Sequence, residues 1–273
     1  MIQGPILVPV DFSARSMRMM PYVKRFAETY GAEVILLHVV NPVIVIPATA
    51  FSESAPVRIP QWVVPERTKQ LEAFASAELN GLNVRRLVYE GDPEAQIAAF
   101  AQTEAVGLIA MPTHGYGVFR RFLIGSVTAK VLHDVSCPVL TGAHTEAHTP
   151  MTEVRLSKIV CAIDLGPESS EPLAWAGSLA RDFGAKLHVI HVRTRREQDD
   201  SARRELAELT TGSGAASIAI QEGDVAKEVS AFAESAGADL VVIGRGAATE
   251  GAGRLRTNAY AIIRQAGCPV LSV

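Results

Sequence analysis

The chain has 273 residues, of which 48% are hydrophobic and 20% are charged, and its net charge at pH 7 is −3. This length predicts two globular domains, because one domain usually takes about 100–200 residues. The slight negative charge argues against a surface that binds nucleic acid, which needs a basic excess, and an aromatic content of 6% leaves few rings to stack on bases.

The three cysteines, Cys137, Cys161 and Cys268, show no CxxC spacing, so neither a disulfide framework nor a zinc site is expected. No apolar run reaches the roughly 20 residues of a membrane helix. The first residues, MIQGPILVPVDFS, lack the basic and apolar regions of a signal peptide. We therefore expect a cytoplasmic protein that neither binds membranes nor holds a structural zinc ion.

Short apolar runs alternate with helical patterns along the first half of the chain. Residues 6–10 predict a buried strand, residues 16–30 predict a helix, and Val34–Val40 predict a second strand. Further on, the pattern predicts a helix at Pro93–Thr103 with Asp92 as its N-cap, and a strand at Leu108–Met111. It then predicts a helix at 127–135 and a last strand at Val139–Thr141. This alternation predicts a parallel sheet with helices on both faces.

Four sequence blocks of the first half return in the same order in the second half. The equivalent residues are Asp11 and Asp164, His38 and His191, Gly91 and Gly223, and Cys137 and Cys268. Their spacing falls from 153 residues for the first two pairs to 132 and 131 for the last two, so the first half carries 21 extra residues, around 41–65. The pattern predicts a tandem duplication with domains at 1–145 and 157–273 and a linker at 146–156.

In an open parallel sheet, ligands bind beyond the carboxyl ends of the strands. Asp11, at the end of the first strand, either accepts hydrogen bonds from a ligand or caps the following turn. Val39, at the end of the second strand, either packs on a base or belongs to the core. Gly125 and Ser126 open a helix whose first amides could bind phosphate, or they serve only as a cap.

The segments VPVDFS, LLHVV and MPTHGYGVFRRFLIGSVTAK resemble the universal stress protein family. Nucleotide-binding members of that family carry GxxG, nine residues and G[S/T] after an apolar strand. The resemblance covers both halves. It implies two tandem doubly wound, Rossmann-like α/β domains of the adenine-nucleotide alpha hydrolase type. Their last strands, at Val139 and Val270, would pair and form a pseudo-dimer within one chain, and two chains could form a homodimer.

The resemblance also implies that ATP, AMP or ADP binds in the first domain, with Mg²⁺ as a further expectation. Asp11 would contact adenine or ribose, Val39 the base, and the start of the helix at Gly125 the phosphates. The implied site comprises Pro9, Val10, Asp11, Val39, Met111, His114, Gly115, Gly125, Ser126 and Val127.

Two departures from the family pattern concern the phosphate loop. Pro112 replaces its first glycine and removes one N–H donor, which weakens the first site without removing it. In the second half Arg256 and Thr257 stand where the first half has Gly125 and Ser126. We therefore expect the second domain to have lost this mode of binding.

Three functions fit the sequence. The first is a stress-response sensor that holds an adenine nucleotide with little or no turnover and signals to a protein partner. The second is an interaction scaffold with vestigial sites. The third is a slow ATP-hydrolysing or adenylating enzyme, which the sequence favours least because no general base pairs with a nucleophile and no catalytic residue stands out. The extra residues 41–65 are expected at an interface rather than as a lid.

Overall fold

The computed structural model describes residues 2–42, 59–114, 124–142, 154–166, 168–193, 199–245 and 252–273. These residues form two compact units, the first made mainly of Ile2–Gly117 and Gly125–Cys137 and the second mainly of Pro138–Val273. Most of the expected linker 146–156, most of the extra residues 41–65 and Gly115 lie outside the described residues. The domain bounds therefore stay a prediction.

The first unit alternates strands and helices, as the sequence predicts, and it includes a helix at Val63–Ala73 and a strand at Val84–Glu90 that the sequence analysis did not place. Its elements are β1 (Ile6–Pro9), α1 (Ala14–Arg18), α2 (Met20–Tyr30), β2 (Val34–Val40), α3 (Val63–Ala73), β3 (Val84–Glu90), α4 (Pro93–Thr103), β4 (Leu108–Met111) and α5 (Ser126–Asp134). The strands lie in the order β3-β2-β1-β4 and every pair is parallel. The order reverses between β1 and β4, which makes the crevice at their carboxyl ends the expected place for a ligand.

The single helix predicted over residues 16–30 is two helices, which meet at Met19. Pro21 explains the break, because it has no N–H to donate to the carbonyl of Met17 and its ring excludes a continuous helix. Its position near the start of α2 is one that a helix tolerates. The side chain of Ser13 accepts a hydrogen bond from the Ser16 N–H and caps α1.

The second unit repeats the pattern with β6 (Lys158–Ile163), α6 (Ser170–Phe183), β7 (Lys186–Arg193), α7 (Asp199–Thr210), β8 (Ala215–Glu222), α8 (Val225–Ala236), β9 (Leu240–Ile243), α9 (Ala252–Gln265) and β10 (Val270–Ser272). Strands β8, β7, β6, β9 and β10 are parallel neighbours. Strands β6, β7, β9 and β10 are almost completely buried, which accounts for their runs of Val, Ile and Leu.

The last strand of the first repeat, β5 (Val139–Thr141), belongs to the second unit. It pairs antiparallel with β10, with Leu140 opposite Leu271. Both leucines are buried, and the Thr141 hydroxyl donates to the Val270 carbonyl at 3.2 Å. This confirms the expected pairing of the two last strands.

The ends of α4 and α8 offer a matched test of backbone strain. Ala105 (φ 47°) and Gly237 (φ 62°) are equivalent residues and both have a left-handed conformation. The next N–H in each repeat bonds back to the last turn, from Val106 to Ala101 and from Ala238 to Ala233. At this helix end the first repeat has alanine where the second has glycine, which is the residue that a left-handed conformation favours.

Replacing Ala105 with glycine should therefore raise the free energy of unfolding by about 0.5–1 kcal/mol, since the relief of strain exceeds the added entropy of the unfolded chain. Gly237→Ala should lower it by a similar amount. Urea titration of both variants and the parent chain measures the two effects. A loss of stability in Ala105→Gly would contradict the strain.

Candidate functional site

A cavity of about 560 Å³ opens at the carboxyl ends of the strands of the first unit. Its walls come from both helical layers, since α3 borders it on one side and α4 and α5 border it on the other. The lining residues are Pro9–Phe12, Ser16, Leu37–Asn41, Arg67, Gln70, Pro93, Ile97, Met111, Pro112, His114 and Gly125–Thr128.

Almost all of the site residues expected from the sequence line this one cavity. They are Pro9, Val10, Asp11, Val39, Met111, His114, Gly125, Ser126 and Val127. Gly115 lies outside the described residues. Residues more than 100 positions apart in the sequence therefore meet in this cavity. The ligand that it binds stays a prediction.

Asp11 organises the turn after β1. Its Oδ1 accepts a hydrogen bond from the Ser13 N–H at 2.9 Å and one from the Ser16 hydroxyl at 2.6 Å. Asp164 makes the equivalent bonds in the second repeat, from the Gly166 N–H and the Ser169 hydroxyl. The turn-capping role is thus present in both repeats. It leaves the second oxygen of Asp11 for a ligand, because a carboxylate accepts through both.

The residue after this aspartate has a strained backbone in both repeats. Phe12 has φ 62° and its equivalent Leu165 has φ 61°. A left-handed conformation costs a residue with a side chain about 1–2 kcal/mol. In the first repeat this conformation places the Phe12 ring 4.4 Å from the His38 ring and 5.9 Å from the Phe74 ring, measured between centroids.

His38 supports the same corner from β2. Its Nδ1 lies 2.7 Å from the Val10 carbonyl, and since a carbonyl only accepts, Nδ1 carries the proton. Burial lowers the pKa of His38, and the nearby positive charge of Arg67 lowers it further, against the raising effects of the Val10 carbonyl and Asp11. His38 is therefore neutral at pH 7. His191 makes the same bond to Ile163 in the second repeat, at 3.0 Å.

The start of α5 is held against the end of β4. The Gly125 N–H donates to the Thr113 carbonyl at 2.8 Å, and the Thr128 hydroxyl donates to the Pro112 carbonyl at 3.0 Å. Gly125 is the N-cap and has no side chain that could bond to the first turn. The first amides of a helix have no partner within it, so this end of the cavity suits an anion.

Pro112 thus takes part in the site through its carbonyl oxygen, which anchors α5 by way of Thr128. Next to it, His114 is buried, with Nδ1 3.1 Å from the Thr113 hydroxyl. Burial lowers the pKa of His114, and Arg15 lowers it further. A neutral imidazole therefore stands between the end of β4 and the start of α5.

Helix α3 adds two polar residues that sequence reasoning missed, Arg67 and Gln70. The Arg67 guanidinium lies 5.9 Å from the centre of the Phe12 ring, and its Nη1 donates to the Gln70 Oε1 at 2.7 Å. At the C-terminal end of α3, the Arg86 Nε on β3 donates to the Leu71 carbonyl at 3.0 Å. Cationic side chains stabilise a helix at this end, so Arg86 helps to hold α3 in place.

The second repeat lacks the equivalent helix start. Arg256 and Thr257, which align with Gly125 and Ser126, lie inside α9, because that helix begins at Ala252. Their amides fall in the interior of a helix, where N–H groups bond to the preceding turn. The loss expected from Arg256 is thus accompanied by a shift of the helix start.

Among the described ranges, no group of three or more His, Cys, Asp and Glu side chains is placed to bind a metal ion. Within the same part of the chain, no helix is long and apolar enough to cross a membrane.

Comparison with known proteins identifies the family. The model of the universal stress protein family matches residues 4–141, 156–211 and 193–273. A universal stress protein of Methanocaldococcus jannaschii is 30% identical in an alignment of 148 positions that covers 50% of this chain and 91% of that protein. One from Mycolicibacterium smegmatis is 27% identical in an alignment of 229 positions that covers 76% of this chain and 74% of that protein.

The crystal structure of a universal stress protein from Archaeoglobus fulgidus shares the fold over nearly the whole chain. Its TM-score is 0.76 at 22% identity, and the match covers 99% of this chain and 96% of that one. The repeated family match and this shared architecture agree with the duplication in the sequence. The chain therefore belongs to the universal stress protein family, as a member with two tandem domains.

Proposed function

We propose that the protein binds one adenine nucleotide, ATP, AMP or ADP, in the cavity of its first unit. It would act as a stress-response sensor with little or no turnover. The observation that supports this most strongly is the open start of α5 in the same cavity as Asp11 and an apolar wall. A volume of about 560 Å³ is in the range of small-molecule sites.

Each part of a nucleotide has a partner with suitable chemistry. Val39 and Ile97 offer an apolar surface to the base, and Asp11 offers a carboxylate oxygen to the adenine amino group or a ribose hydroxyl. The amides of Ser126 and Val127, at the positive end of the helix dipole, suit the phosphates. Mg²⁺ would enter with the triphosphate, since it is commonly bound through substrate phosphates and few carboxylates.

We propose low turnover because the sequence carries no P-loop lysine, the residue that many ATP-hydrolysing enzymes use at the phosphates. Two other universal stress proteins are known with a bound nucleotide. One, from Archaeoglobus fulgidus, is in complex with dAMP, and the other is in complex with cAMP. A protein partner and a homodimer of chains remain predictions, as does a cytoplasmic location.

Mass spectrometry of the nucleotide released from purified, denatured protein tests the proposal. We expect an adenine nucleotide at close to one equivalent per chain, or binding of added ATP at that ratio. Release of nothing, together with no binding of added ATP, would favour the scaffold function instead. Steady phosphate release that Asp11→Ala abolishes would favour the enzyme.

A further inference from the structure

The parts of the nucleotide assigned above leave one side of the cavity without a ligand group. Its α3 side is lined by Phe12, His38, Arg67 and Gln70, which we call the Arg67 lobe. Side chains alternate between the two faces along a strand, so Val39 and His38 lie on opposite faces of β2. The contact between the His38 and Phe12 rings places the Arg67 lobe on the α3 face, away from the wall that suits the base.

The Arg67 lobe carries the positive charge of a guanidinium. Among the described residues, no carboxylate lies within ion-pair distance of Arg67, whose side-chain hydrogen bond goes to the neutral Gln70. Its guanidinium sits near the face of the Phe12 ring and acts on His38, whose pKa it lowers. A guanidinium has five N–H donors in a planar fork that suits phosphate oxygens.

The contacts around α3 restrict where this charge can lie. Arg86 bonds to the Leu71 and Phe74 carbonyls and ties the end of α3 to β3, while Phe74 contacts the Phe12 ring. Gln70, one turn further along the helix, accepts a solvent-exposed hydrogen bond from Arg67. The planar guanidinium also loses less conformational entropy per hydrogen bond than a lysine ammonium does.

We propose that the Arg67 lobe binds a phosphate group on the ribose, so that the preferred ligand is an adenine nucleotide phosphorylated at both its 5′ position and its 2′ or 3′ position. This deepens the proposed function and rests on it. Asp11, Phe12 and Arg67 line the same cavity, and the Arg67 guanidinium lies 5.9 Å from the centre of the Phe12 ring. In the proposed complex, a ribose held at Asp11 directs one hydroxyl toward the Arg67 lobe. The other hydroxyl donates to the carboxylate, and the 5′-phosphate lies at the start of α5.

Titration calorimetry of the full chain with AMP, adenosine 2′,5′-bisphosphate and adenosine 3′,5′-bisphosphate tests this inference. One bisphosphate should bind about tenfold tighter than AMP, as expected of one charge-assisted pair. Arg67→Ala should remove that preference, so that the ratio of bisphosphate affinity to AMP affinity in this variant falls to about one. Arg67→Lys should keep part of the preference, since it retains the charge without the fork.

Lys69→Ala is the matched control, because Lys69 is an exposed cation on the same helix that does not line the cavity. It should leave the preference intact. Equal or weaker binding of both bisphosphates than of AMP by the parent chain overturns the inference while the proposed function stands. So does an equal loss of AMP and bisphosphate affinity in Arg67→Ala. If none of the three nucleotides, nor ATP, binds, the proposed function fails as well.

Discussion

Gly125→Arg is expected to abolish nucleotide binding while the fold persists. The substitution copies the second repeat and puts a long side chain at the N-cap of α5, in front of the amides of Ser126 and Val127. Loss of two charge-assisted hydrogen bonds, at about 1.5–3 kcal/mol each, would weaken binding by about 100-fold or more. Equilibrium dialysis with labelled ATP measures this loss.

The fold should tolerate this change because the backbone at Gly125 needs no glycine. Its φ of −60° and ψ of 151° are open to any residue. The bond from its N–H to the Thr113 carbonyl can persist, so the free energy of unfolding should change by less than about 1 kcal/mol. Circular dichroism of Gly125→Arg checks that the variant is folded, because the loss of binding by an unfolded variant would say nothing about the site.

Two further variants separate the causes. Gly125→Ala adds only a methyl group, so its loss of affinity should be much smaller than that of Gly125→Arg. Arg256→Gly in the second repeat should create no site, because residue 256 lies inside α9. If Gly125→Arg binds ATP as the parent does, the phosphates do not lie at the start of α5. The site would then have to be placed elsewhere in the cavity.

The second large effect concerns stability. Leu140→Ala should lower the free energy of unfolding by about 2–5 kcal/mol, because it removes buried methyl groups and leaves a void on one face of the β5–β10 pair. Leu140 is 0% exposed and lies opposite Leu271, which is 1% exposed. Chemical denaturation followed by circular dichroism measures the change.

Ile218→Ala is the matched control on β8 of the same unit. Ile218 is 48% exposed, so its truncation should cost less than about 1 kcal/mol. Leu271→Ala should resemble Leu140→Ala, and the double variant should cost less than the sum because the two side chains share one void. A cost below 1 kcal/mol for Leu140→Ala would mean that the pairing of β5 and β10 contributes little to stability.

The strands and helices were largely predictable because their signals are local. Asp92 and Pro93 mark the start of α4, and the Asp92 side chain does accept a bond from the Ala95 N–H. Apolar runs of four to seven residues became β1, β2 and β4. The break at Met19 could have been foreseen from Pro21, whereas alignment with the first repeat, in which Ser126 opens the helix, does not indicate the earlier start of α9.

The Arg67 lobe was not predictable from the sequence alone. Arg67 reads as one charge on a polar helix, and its contact with Phe12 depends on how α3 packs against β2 and β3. The left-handed backbone of Phe12 is equally hidden, because phenylalanine carries no signal for it. Motifs identify residues that meet a ligand through local geometry, and they miss residues that tertiary packing brings to the same cavity.

The pairing of β5 with β10, a strand of the second repeat, also has a consequence for folding kinetics. The hydrogen bond from the Thr141 hydroxyl to the Val270 carbonyl joins residues 129 positions apart, whereas the bond from His38 to the Val10 carbonyl spans 28. Contacts of such long range form late, after the loop-closure entropy has been overcome. We expect the strands of each repeat to assemble first and β5 to join β10 in the last step. Substitutions at Leu140 would then accelerate unfolding and leave the refolding rate almost unchanged.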